Sequence, residues 1–199
     1  MNPALLRKLA WLLCSLPLVY LVVQAARVQL GANPVETLEH ETGSWALILF
    51  LCSLAITPVR RVTGRNELAP LRRTFGLFGF FYAALHFFVY LLLDRSLLWS
   101  EIVVDFTKRP YVMLGMAALV LFATLAATSP KRVVKALGAK RWKRVHQLVY
   151  LAVPLAVAHF MWTKWDKNLL ERPLVYAAVV LALLAWRVWV YAKARRQVA

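Results

Sequence analysis

Acidic residues are scarce in this chain: 9 Asp and Glu stand against 25 Lys and Arg in 199 residues, a formal net charge of +16. Charged residues of both signs make up only 17% of the total, too little for the surface of a water-soluble domain of this size. There are 2 cysteines, Cys14 and Cys52, each isolated in an apolar run. With no CxxC pair and no Cys/His zinc spacing, an iron–sulfur cluster and a structural zinc site are excluded, and both read as ordinary lipid- or core-facing residues. The 7 glycines form no phosphate-cradling loop, and no polar stretch is long enough for a nucleotide-binding domain. Any NAD(P)H chemistry must therefore come from another chain. Internal repeats and low-complexity tracts are also missing.

What the chain has is apolar length. By composition 61% is hydrophobic, and six runs stand out at about residues 9–26, 44–59, 75–93, 111–127, 145–163 and 174–191. Most approach the ~20 residues that cross a ~30 Å hydrocarbon core as a helix. The second reaches that length only with Gly43 and Ser44. None alternates with period two, which leaves helices as the spanning structure. The expected fold is all-α: a polytopic membrane protein, one domain over 1–199, built as a six-helix transmembrane bundle. Arg7 and Lys8 before the first run resemble a secretory signal, but Leu9–Ala26 is long enough to span and is read as a retained helix.

The charges sort by loop. Arg60, Arg61, Arg65, Arg72 and Arg73 lie between the second and third runs. Lys131, Arg132, Lys135, Lys140, Arg141, Lys143 and Arg144 lie between the fourth and fifth, and Lys193, Arg195 and Arg196 follow the sixth. Acids fill the alternate loops: Glu36, Glu39 and Glu41; Asp94, Glu101 and Asp105; Asp166 and Glu171. The positive-inside rule places both termini and the basic loops in the cytoplasm. Clusters between apolar runs point to membrane lipid as the partner of the basic charge, and nucleic acid is excluded. The tryptophans read as interfacial belts. Arg187, interrupting the sixth run, either snorkels to lipid phosphate or neutralises an anionic group of a buried cofactor.

The chemistry lies in the histidines. The stretch WKRVHQLVYLAVPLAVAHFMW, Trp142–Trp162, carries His146 and His159 around Pro154. On one helix they would stand about 20 Å apart along the axis. Ionisable residues inside a membrane need a functional or structural reason. His86 and His159 both lie ~18 Å above the cytoplasmic ends of the third and fifth helices, so they are level in the outer half. Two opposed neutral imidazoles are what six-coordinate b-type haem iron requires. Arg72, Gly79, Ala83 and His86 share one face, with Gly76 at its edge. Those small residues either admit a flat macrocycle or pack helix on helix. His146 has no evident partner at the inner level. Thirteen positions rotate an ideal helix by about 220°, so it shares no face with His159 unless a kink at Pro154 corrects the phase. His40, in the first acidic loop, reads as solvated.

ITPVRR (Ile56–Arg61), RRTFGLFGFFYAALHFFVY (Arg72–Tyr90), KRPYVMLGMAA (Lys108–Ala118) and the Trp142–Trp162 stretch together resemble the MsrQ (YedZ) family. These are haem-binding membrane subunits of bacterial periplasmic methionine sulfoxide reductase systems, within the ferric-reductase-like transmembrane superfamily. The resemblance covers essentially the whole chain. It implies an inner-membrane electron relay through one or two b haems, from the quinone pool or a cytosolic flavin reductase to MsrP, a periplasmic molybdopterin enzyme that repairs oxidised methionine. It also implies that His86, His146 and His159 are haem-associated. FMN is associated with the family, and the sequence offers no site for it. Two-haem superfamily members carry a second histidine about fourteen positions before the third-helix ligand; here that position is Arg72, beside Arg73. Arginine is a poor iron ligand, although its fork suits a propionate or phosphate. The inner level therefore either pairs His146 with another ligand or is no conventional haem site. A relay needs no general acid–base pair. The alternatives are a stand-alone ferric or cupric metalloreductase and a non-redox transporter or assembly protein.

Overall fold

The computed structural model describes residues 3–165 and 169–196; Asp166, counted above among the loop acids, lies outside them. Among the described residues every regular element is helical: α1 Pro3–Ala26, α2 Pro34–Thr63, α3 Ala69–Val89, α4 Trp99–Lys108, α5 Pro110–Ala127, α6 Lys131–His146, α7 Val149–Trp165 and α8 Glu171–Arg196, with a 3₁₀ turn before α3 and a π turn after it. Five helical spans are long and apolar enough to cross a membrane. The bent pair of α6 and α7 makes a sixth if read as one span. This is a multi-pass, all-helical membrane protein.

Helix ends depart from the expected ones for local reasons. α2 starts ten residues before the expected 44 because Asn33 caps it, accepting from the Glu36 N–H at 3.2 Å, with Pro34 in the first turn. The first acidic "loop" is thus the first turns of α2. Its other end is closed by Gly64 in the left-handed region at φ 70°. Two helices were not anticipated. α4 is a short amphipathic helix in the segment expected to be a loop, and α6 carries the whole of the second basic cluster. Trp142–Trp162 is not one continuous helix: a turn at Gln147 and Leu148 separates His146 from α7, bending the chain by 40°. His146 and His159 therefore lie on two different helices, and the phase along a single helix does not relate them.

The helices pack chiefly as two pairs, α2 on α3 and α5 on α7. Phe50 of α2 and Phe122 of α5 join them, stacked with centroids 3.6 Å apart and planes 9° from parallel. Around that stack lie Tyr82, Ala118, Ala152, Val153 and Val157, with Cys14 from α1 and Val180 from α8. Gly79 faces the Phe50 ring and Gly76 faces Ser53, so these small residues serve α2–α3 packing; of that face Ala83 and His86 line a cavity. Large apolar side chains stay exposed along α1 and α8, among them Leu12, Leu13, Leu181 and Val188, as lipid-facing surfaces require. The tryptophans do not all sit at helix ends. Trp45 packs against the core a dozen residues into α2, and Trp11 meets Phe78 edge-on at 5.0 Å.

Candidate functional site

A cavity of about 580 Å³ opens at the acidic-loop end between the two helix pairs. That is within the ~300–1,000 Å³ typical of small-molecule and cofactor sites. α3 and α7 bring His86 and His159 to its walls, with Ala83, Leu47, Phe50, Met116, Leu119 and Phe122 among the apolar lining. The two ring centroids are 6.2 Å apart and the ring planes cross at 74°.

Both imidazoles are held in the same way. Nδ1 of His86 lies 2.9 Å from the carbonyl oxygen of Glu39, and Nδ1 of His159 lies 2.7 Å from that of Tyr111. A carbonyl only accepts, so each Nδ1 carries the proton and each Nε2 keeps its lone pair. Neither Nε2 has a hydrogen-bond partner among the described residues. Two neutral imidazoles on opposite walls, each offering Nε2, are the donor set of a six-coordinate haem iron. Metal–nitrogen bonds of about 2 Å put two such nitrogens about 4 Å apart, and the half-widths of the rings bring the centroids to roughly 6 Å. The observed spacing fits.

The mouth of the cavity is polar. Asp105 of α4 is buried and accepts from Arg95 Nε at 2.6 Å and from the Tyr90 hydroxyl at 3.0 Å, with Arg109 Nε at 3.2 Å. Burial works against the charge of Arg95, but the carboxylates of Asp94 and Asp105 outweigh it and its pKa is raised. His40 is not simply solvated. It stands at the rim, with Nε2 2.8 Å from Lys164 Nζ and 3.4 Å from Glu36, and so ties α2 to α7.

The remaining sequence candidates lie elsewhere. His146 does not reach the cavity. Its ring stacks on Trp142 with centroids 4.1 Å apart, and Nε2 lies 3.1 Å from Thr128 Oγ1. The Thr128 hydroxyl already donates to the Thr124 carbonyl at 2.8 Å, so it accepts from His146 and engages the nitrogen that would bind iron. Arg72 is half-buried and Arg73 exposed, both at the start of α3 near the basic-loop end. Arg187 turns inward over the Tyr150 ring at 4.8 Å, with one buried guanidinium nitrogen lacking a hydrogen-bond partner.

The backbone carbonyls of Glu39 and Tyr111 escaped sequence reasoning, because no side-chain pattern marks a carbonyl. The Asp105 cluster escaped it too. An acid and two arginines spaced over 95–109 were legible only as loop charge until the amphipathic period of α4 was taken into account.

A family model described as a ferric reductase like transmembrane component matches residues 42–157, which includes His86 and His146 and stops two residues before His159. The chain is similar to proteins described as the protein-methionine-sulfoxide reductase heme-binding subunit MsrQ. The relative from Ralstonia nicotianae is 45% identical over 187 residues, 94% of this chain and 86% of the relative. That from Caulobacter vibrioides is 43% identical over 182 residues, 91% and 85% of the two chains. That from Bordetella pertussis is 48% identical over 159 residues, 80% and 77%.

Proposed function

This chain belongs to the MsrQ heme-binding subunits, within the ferric-reductase-like transmembrane family, and from that premise we propose that it is a b-type haem electron relay. Its six spans lie in the bacterial inner membrane as one domain, both termini cytoplasmic. Electrons enter from quinol or a cytosolic flavin reductase and leave to MsrP, the periplasmic molybdopterin methionine sulfoxide reductase. It is an electron-transfer subunit, and the catalytic chemistry belongs to the partner.

The observation that carries this reading is the convergence of His86 and His159 at 6.2 Å on the walls of one cavity, each with Nδ1 engaged by a backbone carbonyl. Haem bound there supplies a one-electron ferric–ferrous couple. The chain's own residues do the rest. His86 and His159 would hold the haem through their imidazole nitrogens. Phe50, Phe122 and Leu47 line the cavity with apolar surface that would exclude water from it. The Arg95–Asp105–Arg109 cluster closes the polar mouth, where a soluble partner docks. His146, Arg72 and Arg73 mark a second, inner cofactor position at the basic-loop end, reached by the donor. It either pairs His146 with another ligand in a second haem site or is no conventional haem site. Among the described residues no group of three or more His, Cys, Asp or Glu side chains is placed to hold a metal ion, so no observation favours the metalloreductase alternative.

The test is optical and stoichiometric. Purified protein should show a reduced b-type absorption spectrum, lost in His86→Ala and His159→Ala, and the reduced form should be reoxidised by MsrP. A colourless, fully loaded preparation, or both variants retaining the spectrum, sinks the reading. Haem per polypeptide separates one site from two.

A further inference from the structure

Each converging histidine rests on a glycine of the neighbouring helix. A Cβ added to Gly115 would stand 2.8 Å from Nδ1 and 2.9 Å from Cε1 of His159. One added to Gly43 would stand 3.2 Å from Nδ1 and 3.4 Å from Cε1 of His86. The two glycines hold the same place in two separate arrangements. Gly43 comes four residues after Glu39, whose carbonyl takes the Nδ1 proton of His86. Gly115 comes four residues after Tyr111, whose carbonyl takes that of His159.

The repeat has a geometric cause. In an α-helix the carbonyl of residue i already accepts from the N–H of i+4, and the Cα–Cβ bond of i+4 tilts toward the N-terminus, over that same carbonyl. A ring from another helix reaches the remaining lone pair only where that Cβ is missing. Alanine at Gly115 would bring its Cβ inside the distance real side chains tolerate, and at Gly43 it would ask the ring to yield by a few tenths of an ångström.

We propose that Gly43 and Gly115 are positioning residues for the haem ligands, a reading that rests on His86 and His159 being those ligands. By admitting the rings to the carbonyls of Glu39 and Tyr111, they set the tautomer, the ring plane and the donor strength of each Nε2. An Nδ1–H bond to a carbonyl makes an imidazole more basic and a better donor to ferric iron. Displacing the ring from that carbonyl weakens the donor and raises the reduction potential.

Gly79 supplies the control. A Cβ there would stand 3.0 Å from the Phe50 ring, as tight as at the cradles but with no histidine involved. Gly79→Ala therefore presses on the Phe50 wall of the cavity while touching neither histidine nor its carbonyl partner. Wild type, Gly115→Ala, Gly43→Ala and Gly79→Ala are purified with haem and compared by haem content, low-temperature EPR of the ferric form, and midpoint potential. Gly115→Ala should move the low-field EPR feature and shift the potential positive, and Gly43→Ala should do the same to a smaller extent. Gly79→Ala should lower thermal stability, and because it bears on Phe50 and on neither imidazole its effect on both readouts should be smaller than that of Gly115→Ala. Loss of haem from both cradle variants while Gly79→Ala stays loaded also supports the proposal. If Gly115→Ala fails to fold, Gly43→Ala decides. Cradle variants that keep haem with unchanged EPR and potential overturn it, as does a Gly79→Ala shift equal to theirs. A wild type without haem would instead sink the ligand reading on which the cradle rests.

Discussion

The rings of His86 and His159 face each other at 6.2 Å with their planes 74° apart, each fixed by a carbonyl of the adjacent helix. Neither ring turns freely, because rotating it breaks its Nδ1 hydrogen bond. Crossed imidazole planes on low-spin ferric haem give one strongly anisotropic low-field EPR signal, whereas parallel planes give a rhombic set. The wild-type protein should show the crossed-plane signal. A rhombic spectrum would mean that at least one ring leaves its carbonyl on binding.

His146 should behave differently. Its Nε2 is engaged by Thr128 and its ring is stacked on Trp142, at the junction of α6 and α7. His146→Ala should leave the outer haem spectrum intact and cost about 0.5–1.5 kcal/mol, the usual worth of one hydrogen bond. Thermal unfolding with parallel absorption spectra checks both. If the variant removes half the haem, an inner haem uses His146 after the Thr128 contact is given up.

Asp105 is the hinge pin of the cavity mouth. It is buried, and Arg95, Tyr90 and Arg109 all converge on it. Removing Asp105 leaves Arg95 with Asp94 at 3.3 Å and Glu101 at 3.6 Å and leaves Arg109 half in solvent, so the loss falls below the ~3–5 kcal/mol of a fully uncompensated buried charge. Asp105→Ala should therefore loosen the segment from Tyr90 to Arg109 and speed haem loss, while the spectrum of haem still bound stays that of the wild type. Hydrogen exchange over residues 90–110 together with haem transfer to apomyoglobin would measure this. Unchanged exchange in that segment would refute the assignment.

Much of this architecture was legible from residues. Apolar length located the spans, and equal depth along two helices paired His86 with His159, which the fold does bring together. The reach of α2 and the presence of α4 were also written in the chain, as Asn33-Pro34 and as an amphipathic period. Charge-rich composition obscured both, since acids near a span end look the same in a loop or a first helical turn. The fate of His146 was not legible, because it depends on where a basic helix breaks from an apolar one. The glycine cradles were hidden for a related reason. Gly79 shares a face with His86 and drew attention, yet the glycines that touch imidazoles are Gly43 and Gly115, on other helices. Helical periodicity orders residues along one helix and is silent about what a neighbouring helix presents.

Tyr82 provides a test of how α1 is attached to the redox core. Its side chain is fully buried, and its hydroxyl donates to the Cys14 carbonyl at 2.8 Å while accepting from the Leu18 N–H at 3.0 Å. Those two backbone groups are the ends of one helical turn, one residue from Pro17. The phenol thus stands where an i to i+4 bond would close, at a site proline already weakens. Tyr82→Phe keeps the ring and strands both backbone groups in an apolar setting, at about 1–3 kcal/mol. Because Tyr82 lies outside the haem cavity, the variant should lose thermal stability and gain exchange at the α1 amides around Leu18, with an unaltered haem spectrum and potential. Stability equal to wild type would show that α1 closes its own turn and that the inserted hydroxyl does not hold it.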